Sequence, residues 1–137
     1  MNREQLEDLV GDDDNLIKLL LDLWDVVQLW DDAVDGDDAD HALGYRKAMI
    51  NLPQNPYYMR CNIPFLVAQA YYNWQSANEF ENNKEELHKA YMLRAGYYGI
   101  LIMVVHAVHG QEEAERIAPY AWRYYGEKFE EYRKEFE

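Results

Sequence analysis

Apolar residues recur every three or four positions along most of the chain, which is the spacing of amphipathic helices. The clearest stretch begins after Asp14 or Asn15, either of which can cap a helix, and stops at Gly36. Its apolar positions are Leu16, Leu19, Leu20, Leu23, Val27, Trp30 and Val34. No stretch alternates apolar and polar residues over the length of a strand. The pattern therefore predicts an all-α protein.

Proline, glycine and asparagine interrupt this pattern and divide the chain into about five helices after a short acidic lead-in at residues 2–10. Beyond the first, the helices are expected at about 39–52, at 65–80 after Pro64, from 85 to about 109, and at 111–137 with a bend at Pro119. Residues 97–105 are apolar on every face, which is typical of a central helix that others surround. We therefore predict one domain, residues 1–137, built as a bundle of about five helices around a central apolar helix.

Acidic side chains dominate the charge of the chain, with 26 Asp and Glu against 13 Lys and Arg. Residues 1–40 alone contain 14 acidic residues and two basic ones. Phosphate binding requires clustered cations, so this balance argues against direct nucleic-acid binding and against an anionic membrane surface. The single Cys61, the charged start of the chain and the shortness of its longest apolar run favour a soluble protein of a reducing compartment. We predict a cytoplasmic protein with no membrane association.

A cluster of aspartates at the end of the first long helix is the sharpest local signal. Asp31, Asp32 and Asp35 share one helical edge, and Asp37 follows Gly36. The negative end of the helix macrodipole is an unfavourable place for carboxylates, so their charge needs compensation. A bound divalent cation, an internal Arg or Lys, or solvation could each provide it. Oxygen-only ligands favour Mg²⁺ or Mn²⁺, so these four aspartates are our tentative metal ligands.

A candidate polar site follows from combining this cluster with residues farther along the chain. Trp74 and Asn78, with Glu79 or Glu81, fall on one predicted helix, and Arg94 interrupts an apolar stretch. A buried guanidinium needs a partner, so Arg94 forms a salt bridge with Asp32, Asp35 or Glu79, binds an anionic ligand, or lies at the surface. The site that we predict comprises Asp31, Asp32, Asp35, Glu79 and Arg94.

Two resemblances extend this interpretation. The Asp-Asp-x-x-Asp pattern at Asp31, Asp32 and Asp35 resembles the aspartate-rich motif of isoprenoid synthases, in which carboxylates hold Mg²⁺ against a diphosphate. A second series of landmarks resembles the small all-helical proteins of unassigned role in tailed bacteriophages and prophages: Leu29-Trp30-Asp31, Asp35-Gly36-Asp37, Leu52, Asn55-Pro56-Tyr57-Tyr58, Trp74, Ala77, Asn78, Glu79 and Arg94. The second resemblance implies a helical fold and action in the bacterial host cytoplasm, and it implies no activity.

Two functions are consistent with the sequence, and the question of catalysis is left open. In the first, the carboxylate-rich site binds Mg²⁺ or Mn²⁺ and acts on a phosphate or diphosphate. In the second, a non-enzymatic protein presents its acidic N-terminal face to a basic host protein, as a nucleic-acid mimic or inhibitor. Twelve Tyr and four Trp also favour an aromatic-anchored protein interface, including that of a homodimer.

Overall fold

The computed structural model describes residues 1–36 and 41–137, and every regular element in these ranges is helical. The α-helical segments in chain order are α1 (Arg3–Val10), α2 (Asp14–Asp35), α3 (His41–Arg46), α4 (Leu52–Gln54), α5 (Tyr57–Arg60), α6 (Ile63–Phe80), α7 (Leu87–Leu93), α8 (Gly96–His109), α9 (Gln111–Arg123) and α10 (Phe129–Lys134). A π-helical stretch, Lys47–Asn51, joins α3 to α4, and a 3₁₀ turn, Lys84–Glu86, leads into α7. The all-α prediction is confirmed.

The predicted number of helices is wrong, because eight α-helices of six residues or more occur in the described ranges. The lead-in forms a helix of its own, α1. A turn at residues 94–95 divides the helix that we expected to run to His109 into α7 and α8. Pro119 lies inside α9, and the break comes later, at residues 124–128. Residues 39 and 40, where we expected another helix to begin, lie outside the described residues.

Local hydrogen bonds explain where α2 begins and ends. Asp13, rather than the expected Asp14 or Asn15, caps the helix, because its carboxylate accepts the N–H of Leu16 at 3.3 Å. Gly36 ends the helix with a left-handed conformation (φ 66°), which confirms the predicted stop. Asp31, Asp32 and Asp35 therefore do lie at the C-terminal end of a long helix.

The main core is formed between α2 and α8, with contributions from α1, α6 and α9. The fully buried side chains of α2 are Leu16, Ile17, Leu19, Leu20 and Leu23. A second, smaller apolar cluster joins α6, α7 and α10 and comprises Ala77, Leu87, Ala90 and Tyr132. Because Tyr132 belongs to this second cluster, α10 is packed beside the end of α6.

Helix α8 packs against α2, α6 and α9, but it is not enclosed on every side as its composition suggested. Leu101 and Val104 are fully buried, whereas Met103 is 45% exposed and His106 lies at the surface. The longer stretch Lys84–His109 is long enough to span a membrane. It contains an 18-residue segment with a mean hydropathy of 1.3, which is apolar enough for a membrane-spanning helix, and 39% of that segment is buried within the structure. Core helices of soluble proteins share these properties, so the stretch alone does not indicate a membrane protein.

Candidate functional site

Asp31 and Arg94 meet in a cavity of about 530 Å³, which we call the Arg94 cleft. Its walls come from α2, the end of α6, the start of α8 and the C-terminal segment around α10. The aromatic lining residues are Trp24, Trp30, Trp74, Tyr97, Tyr98, Tyr125, Tyr132 and Phe136. The charged lining residues are Asp31, Glu81, Glu127, Glu135 and Arg94. The cleft thus combines aromatic surface with an excess of carboxylates.

Arg94 is fixed by three hydrogen-bond acceptors at the turn between α7 and α8. Its Nη1 donates to Asp31 Oδ1 at 3.2 Å, and its Nη2 donates to Asn78 Oδ1 at 2.6 Å and to Glu81. Its side chain is only 17% exposed. Burial alone would lower the pKa of Arg94, but the hydrogen bond and charge of Glu81, together with Asp31, outweigh burial and raise it. Arg94 is therefore a permanent cation with two carboxylate partners.

The structure changes the predicted partners of Arg94. Glu79, which we assigned to the site, is exposed on α6, and Glu81 contacts Arg94 in its place. Asp32 is half-buried, and its carboxylate has no ion-pair partner among residues 1–36 and 41–137. Of the three partners that we expected for Arg94, Asp32 and Glu79 form no salt bridge with it, and the side chain of Asp35 is not described. Arg94 pairs with Asp31 and Glu81.

The predicted metal ligands are only partly described. Asp31 and Asp32 belong to the described residues, the side chain of Asp35 is not described, and Asp37 lies outside the described ranges. Within those ranges, no three or more His, Cys, Asp or Glu side chains come together as a metal-binding group. The Mg²⁺ or Mn²⁺ site at Asp31, Asp32, Asp35 and Asp37 therefore stays a prediction.

Trp74 gives Asp31 a second hydrogen-bond donor. Its indole Nε1 donates to Asp31 Oδ1 at 2.5 Å, the same oxygen that accepts from Arg94. The indole ring lies 6.0 Å from the ring of Trp30 and 6.0 Å from that of Tyr71, centroid to centroid. This aromatic packing holds the Trp74 N–H against the carboxylate.

The C-terminal segment closes the opposite side of the Arg94 cleft through tyrosine hydrogen bonds. The Tyr132 hydroxyl donates to Glu81, and the Tyr91 hydroxyl donates to the backbone carbonyl of Glu127. The Tyr125 hydroxyl donates to the carbonyl of Tyr91 at 3.0 Å. Burial and the bond to Glu81 raise the pKa of Tyr132, so it remains a neutral donor at physiological pH.

Glu127 is a half-buried carboxylate that forms no salt bridge among the described residues. Burial raises its pKa first, the neighbouring carboxylates of Glu135 and Glu131 raise it further, and the charge of Arg94 opposes this rise without cancelling it. The cleft lining contains four carboxylates and a single guanidinium, which Asp31 and Glu81 already neutralise. The side of the cleft that carries Glu127 and Glu135 is therefore electronegative.

A second charged group lies along α2, outside the lining of the Arg94 cleft. Lys47 Nζ contacts Asp25 directly and lies 3.6 Å from Asp22 Oδ1. Asp22 is 8% exposed, and burial raises its pKa despite the opposing effect of Lys47. Asp25 lies one heptad before Asp32 and therefore on the same side of α2. Its negative charge is compensated by Lys47.

Sequence reasoning missed several residues of the cleft, above all Glu127, Tyr132 and Glu135 from the C-terminal segment. Their spacing fits an ordinary amphipathic helix, and nothing local in the sequence indicates that α10 folds back against α7. The surplus of tyrosines was the available signal. It indicated grooves and interfaces in general, not this position.

Comparisons with known proteins identify no relative of this chain. No protein-family model, no curated protein and no solved structure matches the chain. The class of protein is therefore defined by its own fold and site, as an all-helical protein with an acidic, aromatic-lined cleft. The grouping with small phage proteins stays a prediction.

Proposed function

We propose that this chain is a binding protein that accepts a cation in the Arg94 cleft. The observation that carries the proposal is the imbalance of charge in the lining, four carboxylates against one guanidinium. Arg94 is already paired with Asp31 and Glu81, and half-buried Glu127 and exposed Glu135 form no salt bridge within the described residues. Bringing a positive group into a partly buried, electronegative cavity is favourable, because the attraction is less screened there than in water.

The same charges argue against the phosphate or diphosphate ligand that the sequence suggested. Among the described residues, Arg94 is the only basic residue in the cleft lining, and three of its N–H groups donate to Asp31, Asn78 and Glu81. A phosphate at Arg94 would lie beside the carboxylates of Asp31 and Glu81, which repel it. We therefore favour binding of a cation over metal-assisted phosphoryl chemistry. Mg²⁺ or Mn²⁺ at the aspartate cluster is a separate prediction, because of that cluster only Asp31 lines the cleft among the described residues.

Thermal unfolding with added ligands tests the proposal, since a ligand that binds only the folded state raises Tm. Mg²⁺, Mn²⁺, choline and pyrophosphate would each be added at constant ionic strength. We expect at least one cation to raise Tm in the wild type and to lose much of this effect in Glu127→Gln. The variant Glu112→Gln, at an exposed position of α9, makes the same change of charge away from the cleft and is the control. Stabilisation by pyrophosphate alone would contradict the proposal.

A specific observation also supports the second function, that of an acidic interaction protein. Glu4, Asp8 and Asp12 are exposed and form no ion pair within the described residues. By contrast, Arg3 pairs with Glu7 and Asp14 and thereby neutralises part of the N-terminal surface. A basic partner would therefore contact α1 and the loop that follows it.

Affinity capture from a bacterial lysate tests this second function. We expect wild-type protein to retain a basic protein at low salt and to release it as salt is raised. The combined variant Glu4→Gln, Asp8→Asn, Asp12→Asn should not retain that protein, whereas Glu127→Gln should. Recovery of no basic protein would count against this function. The predicted homodimer and aromatic-anchored interface would use exposed rings such as Phe65 and Trp122.

A further inference from the structure

Most aromatic residues of the Arg94 cleft offer a ligand their rings, because most of their polar atoms are already bonded within the protein. The hydroxyls of Tyr97 and Tyr98 donate to the backbone carbonyls of Leu20 and Tyr124 at 2.8 and 3.0 Å. The indole N–H of Trp74 is bonded to Asp31. Arg94 is paired with Asp31 and Glu81, so the cleft presents mainly ring surface and carboxylate oxygens.

Three of these rings form a compact corner of the cleft. The rings of Trp24 and Tyr97 are 5.0 Å apart at an angle of 85°, and those of Tyr97 and Tyr98 are 5.6 Å apart at 82°. Trp24 also contacts Tyr98 at 6.4 Å and 70°. Rings set nearly at right angles pack edge to face on one another. Tyr97 and Tyr98 are only 4% and 5% exposed, so they support this corner from behind, and half-buried Trp24 presents the ring surface that a ligand can reach. The faces of aromatic rings attract cations, and indole is the strongest of them.

We infer that the ligand of the Arg94 cleft is an organic cation, an alkylated ammonium whose charge lies against these rings and near Glu127. This inference rests on the proposed function and adds the chemical class of the ligand. An alkylated ammonium has no need of a full shell of oxygen ligands, unlike Mg²⁺, and its methyl or methylene groups pack on apolar ring surface. Its positive charge balances the negative charge of Glu127 and Glu135, which form no salt bridge among the described residues.

The size of the cleft agrees with a small organic molecule. Its volume of about 530 Å³ lies within the range of roughly 300–1,000 Å³ that is common for small-molecule sites, and it is far larger than a bare ion requires. Glu127 is held beside this space because the Tyr91 hydroxyl binds its backbone carbonyl. The backbone that carries this carboxylate is thus held in place before any ligand arrives, which reduces the cost of ordering on binding.

Choline and 3,3-dimethylbutan-1-ol are the probes for the test, since they share a shape and differ in charge. Binding would be followed by the fluorescence of the tryptophans, three of which line the cleft, and by isothermal titration calorimetry. We expect saturable binding of choline, at least tenfold tighter than that of the neutral alcohol. Glu127→Gln should weaken choline binding at least fivefold, and Glu112→Gln should leave it unchanged. Thermal melts of both variants would show that each is folded.

The outcomes separate this inference from the proposed function. Equal affinity for choline and the neutral alcohol would overturn the inference, because the rings would then act only as apolar surface. Binding of Mg²⁺ or Mn²⁺ that depends on Glu127, without binding of choline, would overturn the inference and leave the proposed function standing. Absence of binding by every cation would overturn both.

Discussion

Arg94 donates to Asp31 across 3.2 Å, although the two residues are 63 positions apart in the chain. The contact joins the turn between α7 and α8 to the last two turns of α2. A carboxylate at the C-terminal end of a helix is opposed by the macrodipole, so a fixed cation at this point stabilises the helix end as well as the tertiary contact. The guanidinium is thus the positive counterpart for this part of the aspartate cluster.

Replacing Arg94 tests how much this contact contributes to the free energy of unfolding. Arg94→Met keeps apolar bulk but leaves Asp31 and Glu81 without their cation. Breaking a fully buried pair costs about 3–5 kcal/mol, and since Arg94 is 17% exposed we expect a loss of about 2–3 kcal/mol in the free energy of unfolding. Urea denaturation would measure it. Arg116→Met is the control, because it removes an exposed partner of Glu113 and should change the midpoint of urea unfolding little. Equal effects of the two variants on the free energy of unfolding would contradict the prediction.

The hydrogen bond from Trp74 to Asp31 can be tested separately. Trp74→Phe keeps an aromatic ring beside Trp30 and removes the N–H donor. Bonds to charged acceptors contribute about 1.5–3 kcal/mol, so we expect an unfolding free energy lower by about 1–2 kcal/mol after partial compensation by water. Trp122→Phe, at an exposed ring of α9, is the control. If both variants unfold at the same urea concentration, the indole N–H contributes nothing measurable.

Much of the fold followed from the sequence, because apolar periodicity and capping residues act locally. Gly36 ends α2 as predicted, and α6 ends at Phe80 as predicted. The breaks at residues 94–95 and 124–128 were missed because neither contains proline, and the glycines beside them, Gly96 and Gly126, permit a break without requiring one. At the first break, Arg94 contacts carboxylates on α2 and beyond α6, and these tertiary contacts cannot be read from local sequence.

The candidate site was predictable only in part. Asp31 and Arg94 were identified because charges in unfavourable positions need partners, and the structure brings these two together. Glu79 was preferred to Glu81 although they differ by only two positions, and their helical faces decide which one reaches Arg94. Glu127 could not be found, because its role depends on the path of the chain after α9. Sequence spacing carries no information about that path.

The carboxyl of Glu127 predicts how the thermal stability of the protein changes with pH, including the direction of the change. Burial raises the pKa of this carboxyl in the folded protein above its unfolded value, so the protonated form is favoured by folding. Its stabilising contribution is complete below the unfolded pKa and is lost as pH rises through the folded pKa. We therefore expect Glu127→Gln to raise Tm at pH 7, with the gain vanishing near pH 4. Calorimetric scans between these pH values would measure it, and a gain that grows toward acid would refute the assignment.

The pH dependence of ligand binding follows from the same carboxyl. A cation near Glu127 favours its ionised form, so protonation of Glu127 must weaken the binding of that cation by linkage. We expect the affinity for choline to fall as pH is lowered from 7 toward 4, and to fall much less in Glu127→Gln. Calorimetric titration at three pH values would compare them. An identical pH profile in the two proteins would show that another group controls binding.

Lys47 provides a matched test at the second charged group. Lys47→Met leaves Asp22, which is 8% exposed, without the cation that opposes the rise of its pKa through burial. At pH 7 the variant must keep an ionised carboxylate in a buried position, and we expect unfolding to require about 2–3 kcal/mol less. As pH falls, Asp22 protonates at a higher pH than an ordinary aspartate, so the penalty shrinks and the two proteins approach equal stability. Urea titrations at pH 7 and pH 4 would measure this convergence, with Lys84→Met at an exposed position as the control. A penalty of the same size at both pH values would show that Lys47 contributes through the packing of its methylene groups, not through its charge.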